Sequence, residues 1–309
     1  MNLTDEIRTR YSRYVFWGHL GTGADFTHIY RAWSKTLERL GAEVVWVHDD
    51  PASVPAVTPG SWVTAMDTAA KHLPVIPGVD YVLHNFSLAD RVEPGHHLNI
   101  QVYTDAVVLE GNPQPFGRLS FFDRDARLLV EPWGCDLMRH EFLPPVWPEA
   151  SRTVYWVGSI WNNEADQGNE DAIEAMRQHL TSVGLTFVQR RCDTDEENAE
   201  LVRASRIAPA IAGRWQARVN YLPCRVFKNI AYGQLGITNV RAFGWILGNG
   251  IVKPSPPADR DSIAALLDVA LSMSRREWME RVTWQQDSIA GFDYASKTAR
   301  TFRAFDELR

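Results

Sequence analysis

The stretch Tyr14–His48 constrains this chain more than any other. An apolar run, Tyr14–Leu20 (YVFWGHL), leads into the glycine loop Gly21-Thr22-Gly23, and apolar residues then follow at Phe26, Ile29, Tyr30, Trp33, Leu37 and Leu40. That spacing marks one face of a 3.6-residue helix. Gly41 suits the stop of that helix, and Glu43–His48 (EVVWVH) is a second apolar run. Strand, helix and strand in this order make a βαβ unit, whose strands lie parallel.

The pattern continues. Tyr81–Phe86, Leu98–Tyr103 and Arg127–Glu131 read as further strands. Phe142–Ala150 (FLPPVWPEA) holds three prolines in nine residues, which break regular structure and mark a linker. Beyond it the rhythm restarts, with strands predicted at Thr153–Gly158, Leu185–Gln189, Ile207–Ile211 and Leu235–Thr238. Helices are predicted at Asn169–Ser182, Glu196–Ala204, Val226–Gly233, Asp261–Leu271, Arg276–Gln286 and Tyr294–Leu308. Pro209 marks its strand as an edge or a functional loop. With 309 residues and roughly 150 per domain, the chain reads as two α/β halves.

Hydrophobic residues make up 45% and charged residues 23%, which excludes a disordered, collagenous or coiled-coil chain. A net charge of −6 gives no global support to a nucleic-acid surface, so clustered basic residues are expected to serve a local anion. Cys135, Cys192 and Cys224 show no CxxC spacing and no disulfide framework, as in a reducing compartment. No secretory h-region and no apolar run of about 20 residues is visible, so the expectation is a cytoplasmic protein without a transmembrane segment.

Three segments carry chemistry. The loop Gly18-His19-Leu20-Gly21-Thr22-Gly23 joins a strand to a helix. It is not GxGxxG, and it reads either as a tight turn or as a substrate-facing loop. Val157–Asn163 (VGSIWNN) leaves the C-terminal end of a strand, where open α/β sheets bind ligands. Ser159 there suits phosphate, and Gly158 and Trp161 flank it. In Ser205–Asn239, Arg206, Arg214, Arg218, Arg225 and Lys228 fall within 23 residues with no Asp or Glu among them. Arg225 and Lys228 share a helix face beside N-terminal amides, an arrangement that holds a pyrophosphate without a metal. A solvated basic face is the alternative.

Metal motifs are weak. Asp123-Arg124-Asp125 is a DxD in the first half, away from the basic segment. Asp193-Thr194-Asp195 lies in a polar turn, and His96-His97 lack ligand spacing. No metal and no cofactor are expected. Candidates for a base that deprotonates an acceptor are Asp25, His28, His19 and Asp105, all at C-terminal strand edges. Asp25 also suits an N-cap.

The segment PCRVFKNIAYGQLGITN resembles the donor-site helix of GT-B glycosyltransferases, especially the CgeB-like branch of the family 1-type group. Similar too are YWVGSIW, GHLGTGADFTHIYRAW, EPWGCDL and the closing YASKTARTFRAF. Lys228 stands where many members carry a Glu that contacts the donor, and a lysine favours phosphate over sugar hydroxyls. The resemblance implies two Rossmann-like domains facing across a cleft. Residues 1–148 would be the acceptor domain and 149–290 the donor domain, with 291–309 a helix returning to the first. It implies a transferase taking a UDP- or GDP-linked sugar to a glycan, lipid or small-molecule acceptor.

On this reading Arg225 and Lys228 neutralise the leaving diphosphate. Gly158, Ser159, Trp161, Arg206, Val226 and Phe227 join the donor site. The end of the Ile207–Ala212 strand, with Pro209 and Ala210, meets the base, and Tyr232 and Asn239 meet the sugar or ribose. His19, Gly21, Thr22, Gly23 and Asp105 lie on the acceptor side. A nucleotide-sugar epimerase on the same fold and a two-lobed sugar-binding protein are the alternatives.

Overall fold

The structure is a computed structural model that describes residues 2–21, 27–84, 86–88, 90–102, 114–117, 119–247 and 259–309. Its contacts divide the chain into two units. The first takes residues up to Val102, a stretch ending at Asp136, and Asp293–Arg309; the second takes Leu137–Phe292.

In the first unit, β1 (Arg13–Trp17), β2 (Val44–Val47), β3 (Ser61–Met66), β4 (Asp80–His84), β5 (His97–Gln101), β6 (Gln114–Gly117), β7 (Ser120–Asp123) and β8 (Leu128–Val130) form one sheet. Its order is β2-β1-β3-β4-β5-β8-β7-β6. β2 through β8 in that order are parallel, and β7 and β6 extend the sheet antiparallel. Because β1 lies between β2 and β3, the chain reverses its direction of travel across the sheet there. In such sheets the crevice beyond the C-terminal strand ends at the reversal receives the ligand.

The expected βαβ unit is present. Helix α2 (Thr27–Arg39) buries Ile29, Tyr30, Trp33 and Leu37, the face that the apolar spacing marks. Each such side chain contributes roughly 1.5–3 kcal/mol by leaving water. The sheet face under α2 carries an aromatic layer in which Trp33 stacks on Tyr294, 5.7 Å between centroids, and Trp62 meets Phe302. Both partners come from the C-terminal helix Tyr294–Leu308.

That helix is fastened by ion pairs as well. Lys297 Nζ lies 2.7 Å and Arg300 Nε 2.8 Å from the fully buried Glu131. At the other end of the helix, Asp80 accepts from Arg309, from His96 Nδ1 (2.6 Å) and from Tyr11. Helix α1 (Leu3–Arg10) adds Arg10, whose guanidinium bonds Asp306 and packs 4.7 Å from the Phe302 ring centre.

The second unit has β9 (Thr153–Val157) paired in parallel with β10 (Thr186–Arg190). Its helices are α3 (Glu170–Ser182), α4 (Asp195–Ala204), α5 (Arg214–Arg218), α6 (Cys224–Ala231), α7 (Gly244–Leu247), α8 (Arg260–Ser272) and α9 (Arg275–Ser288). The strands expected at Ile207–Ile211 and Leu235–Thr238 reduce to one parallel bridge, Pro209 to Ile237. Proline has no N–H to give the ladder, so Ala210 supplies the bond instead, to Ile237 O at 2.8 Å. The core gathers Val154, Trp156, Ile173, Met176, Ile207 and Trp278 with their neighbours.

The proline-rich stretch lies with the second unit. Leu143 N–H bonds Ala231 O, Val146 N–H bonds Gly233 O, and Trp278 Nε1 donates to Val146 O. Contacts therefore break at residue 137, ahead of the prolines. No helix among the described residues is long and apolar enough to cross a membrane.

Candidate functional site

In the second unit the site grows from the C-terminal end of β9. Gly158 follows that strand with φ +144, and a methyl group there would meet the Arg225 terminal nitrogen at 2.1 Å. Only glycine permits that approach. Arg225, from the first turn of α6, donates through Nε to Val157 O at 3.2 Å. Its guanidinium lies 3.9 Å from the Trp156 ring centre, a cation–π geometry. Three contacts thus hold a half-buried cation at a parallel strand end. The N-cap of α6 is Pro223, which gives the first-turn amides no side-chain acceptor.

Asn169, just before α3, shapes the loop after Gly158. Its Oδ1 accepts from Trp161 N–H at 3.0 Å, its Nδ2 donates to Ser159 O at 3.2 Å, and its own N–H bonds Trp161 O. Trp156 Nε1 also donates to Ser159 O. Trp161 is left 36% exposed. Gly158 N–H donates to Arg190 O at 3.1 Å, which sets the exposed Arg190 and Arg191 beside the same strand end.

The sequence reading groups Arg206 and Arg225 at one anion, and the structure separates them. Arg206 N–H bonds Thr153 O, at the opposite end of β9 from Val157, about 13 Å away at 3.3 Å per residue. Its guanidinium packs 5.0 Å from the Trp147 ring centre, and burial holds it below the ordinary arginine pKa. Arg214 and Arg218 are exposed on α5.

Lys228, nearly buried on α6, is 3.5 Å from Asp195 at the start of α4. That carboxylate arrives from 33 positions earlier in the chain, outside the acid-free segment that defines the cluster. The Lys228 ammonium therefore already has a counter-ion, and Arg225 is the cation seated at the strand end. Nearby, burial and then Glu197 and Asp193 push the Cys192 thiol up to about 11, against Lys228, so it stays protonated and unreactive.

Several other donor-side candidates belong to the interior. Val226 and Phe227 are fully buried, Phe227 between Phe243 and Phe292. Tyr232 is buried with Val202 and Ala208. Asn239 is fully buried and clamps Ala212 with both polar atoms, accepting from its N–H and donating to its carbonyl, each at 2.8 Å. Asn229 donates to Ala208 O at 2.7 Å. The main chain of residues 208–212, expected to meet a base, thus has much of its bonding capacity taken up within the protein. A cavity beside Asn162, Asp166 and Arg214 has a volume of about 10 Å³, the size of one water.

In the first unit, His19 follows β1 with φ 57, after Gly18 at φ 80. A methyl group on Gly18 would meet Ala69 O at 2.4 Å, so the backbones after β1 and β3 touch there. His19 is 8% exposed. Its Nε2 lies 3.3 Å from Thr68 Oγ1 and its carbonyl accepts from Thr27 Oγ1 at 3.0 Å. Burial lowers its pKa while Asp67 and Asp49 oppose that, so the ring is neutral at neutral pH.

Asp49 is itself fully engaged, accepting from Trp17 Nε1 and from the Lys71 and His72 N–H groups. Gly21 adopts φ 66, with nothing among the described residues within 4 Å of where a methyl group would stand, and His28 is exposed on α2. Thr22, Gly23, Asp25 and Asp105 lie outside the described residues.

The DxD lies at the wrong edge for this crevice. Asp123 Oδ1 accepts from Ala126 N–H at 2.9 Å, closing the β7–β8 turn. That turn precedes β8, which runs parallel to β5, so it sits where the parallel strands begin. His96 and His97 part company, His96 to Asp80 and His97 into the interior. Among the described residues no group of three His, Cys, Asp or Glu is placed to hold a metal.

Trp156, Asn169, Arg190, Arg191 and Thr68 did not emerge as candidates from the sequence. Arg190-Arg191 directly after an apolar run was a usable signal; the others lacked one.

No family model and no curated protein matches the chain. Among solved structures it is similar to a UDP-forming α,α-trehalose-phosphate synthase from Burkholderia vietnamiensis, at 12% identity over 91% of this chain and 79% of that one, with a TM-score of 0.45. It is similar also to a UDP-forming α,α-trehalose-phosphate synthase from Burkholderia xenovorans, at 10% over 92% and 79%, TM-score 0.48. A third is the E. coli trehalose-6-phosphate structure bound with UDP-2-fluoro glucose, at 13% over 92% and 78%, TM-score 0.48.

Proposed function

We propose that this chain is a GT-B glycosyltransferase of the family 1-type group, moving a sugar from a nucleoside-diphosphate donor to an acceptor hydroxyl without a metal. The seating of Arg225 against Gly158 carries the reading. A guanidinium stacked on Trp156, tied to Val157 O and set in the first turn of α6 is a preorganised partner for a diphosphate at a strand end.

Charge on the leaving diphosphate grows as the glycosidic bond breaks, and a fixed cation stabilises it without reorganising. Lys228 adds positive potential but is shared with Asp195. In this proposal the first unit takes the acceptor at the crevice beyond β1 and β3. His19, neutral and desolvated, is the base of a transfer that inverts the anomeric centre. The protein would act in the cytoplasm on a UDP- or GDP-linked sugar.

The test is a thermal-shift series with UDP, GDP, ADP, CMP and TDP, in EDTA and then with manganese. A ligand that binds only the folded chain raises its stability by mass action. UDP or GDP should stabilise the parent in EDTA, and Arg225→Ala should abolish that shift. No nucleotide response, or a response only with manganese, defeats the proposal. Incubation with donor alone separates transfer from epimerisation, since only an epimerase converts it.

A further inference from the structure

We propose that His72 receives the acceptor, taking on its bare Nε2 a hydrogen bond from a hydroxyl of a neutral sugar at the strand ends of the first unit. The inference rests on the transferase reading for the role of acceptor, and on geometry for the site.

The chain that leaves β3 builds the position. It passes over the end of β1, where a methyl group on Gly18 would meet Ala69 O at 2.4 Å. It then reaches the end of β2, where the Lys71 and His72 N–H groups donate to the Asp49 carboxylate at 2.9 and 2.8 Å. Trp17, the last residue of β1, donates its Nε1 to the same carboxylate at 2.9 Å. One carboxylate thus ties together the ends of β1, β2 and β3, where the sheet reverses its order of travel and ligands bind. Leu73, the next residue, is buried in the apolar core of the sheet.

The His72 ring is oriented by the same aspartate. Its Nδ1 lies 3.1 Å from Asp49 O and 3.6 Å from Asp49 Oδ1. A backbone carbonyl can only accept a hydrogen bond, and an ionised carboxylate likewise. Burial opposes the charge on Asp49, but the His72 amide, Trp17 and the Lys71 amide outweigh it and hold its carboxyl below the ordinary range. Both contacts therefore place the proton on Nδ1, and the neutral ring carries its lone pair at Nε2. The ring is 37% exposed. Nε2 has no partner among the described residues and is not sealed from solvent. A lone pair of fixed direction on a reachable nitrogen is an acceptor for an O–H group.

Charge selects the class of ligand. Asp49 acts on His19 through space as well, as does Asp67, so both carboxylates lend negative potential to these strand ends. Lys71, the cation of the same loop, is exposed. A phosphate or carboxylate on the acceptor would meet like charge there, whereas a neutral sugar brings several O–H donors and no charge.

The experiment follows the His72 ring at pH 8 with histidine labelled by ¹⁵N. The parent should show a proton on Nδ1 and a bare Nε2. Glucose, galactose and mannose are then titrated as neutral probes, with glucose 6-phosphate as the charged one. At least one neutral sugar should move the Nε2 resonance to lower frequency, the mark of an accepted hydrogen bond, and glucose 6-phosphate should move it less. Binding of that sugar, read by saturation transfer to its protons, should weaken about five-fold in His72→Ala, the loss of one neutral hydrogen bond. His72→Gln, whose Oε1 can stand near the place of Nε2, should recover most of the loss. A parent ring protonated at Nε2 overturns the proposal, as do a bare Nε2 that no neutral sugar moves, a stronger response to the phosphate, and a His72→Ala chain that binds the sugar like the parent. Both variants keep the main-chain bond to Asp49, and the parent ring decides even where a variant does not fold. Failure of the transferase reading would show elsewhere, as a parent chain that no nucleotide stabilises, whatever the sugars do at His72.

Discussion

Replacing His97 by phenylalanine should remove an acid-sensitive weakness from the first unit. His97 opens β5 and is 1% exposed, and neither ring nitrogen has a hydrogen-bond partner among the described residues. Burial, reinforced by the Arg127 guanidinium, lowers its pKa to about 4, against about 6.5 for a histidine in water. The sign follows from linkage. The unfolded chain takes up a proton as pH falls through 6.5, and the folded chain does not until near 4, so acid pulls the equilibrium towards unfolding. Integrated for one site, the loss between pH 7 and pH 5 is about 2 kcal/mol. Phenylalanine keeps a ring in the space and has nothing to protonate. His97→Phe should match or exceed the parent in stability at pH 7 and exceed it by about 2 kcal/mol more at pH 5. Hydrogen exchange at the amides of β4 and β5, read as the difference between variant and parent, measures this. If both lose protection in parallel from pH 7 to pH 5, His97 is not the buried neutral group described here.

Gly158→Ala should displace Arg225 and strain a backbone at φ +144, at a cost of about 1–3 kcal/mol; urea unfolding measures the cost, and the nucleotide-induced shift should vanish with it. Arg206→Ala should leave that shift intact where Arg225→Ala removes it, since the two guanidinium groups sit at opposite ends of β9; equal losses would contradict the separation. Glu131→Gln strands the buried Lys297 ammonium and should destabilise the first unit by roughly 3–5 kcal/mol, with exchange protection lost first in the C-terminal helix. Acidification should also weaken the parent through His84, whose pKa burial and Lys297 hold well below its ordinary value, and His84→Phe should lessen that loss in the same exchange assay.

Alternating apolar runs and helical periodicities made the α/β architecture legible, because burial of one face leaves its period in the sequence whatever the partner. The helix buried at Ile29, Tyr30, Trp33 and Leu37 is the clearest instance. The central strand β3 (SWVTAM) escaped notice, for it interrupts its apolar residues with Ser and Thr, and its complete burial comes from strands on both sides. Arg225 and Gly158 were visible as a basic residue at a helix start and a glycine after a strand. Their contact was not, being a meeting of positions 67 residues apart. The basic cluster was legible only as a count. Five cations within 23 residues proved to be one seated at the strand end, one paired with Asp195, one at the far end of β9 and two on an exposed turn.

Sequence alone determined the parallel α/β units, the glycine turns and the chemical types available at strand ends, since each follows from local sterics and from the period of burial. Tertiary structure alone decided which charges meet. The Asp195–Lys228 pair, the Glu131–Lys297–Arg300 cluster and the His19–Thr68 contact all join distant positions. Electrostatics and hydrogen bonding act over a few ångströms of space, and separation along the chain carries no record of that distance.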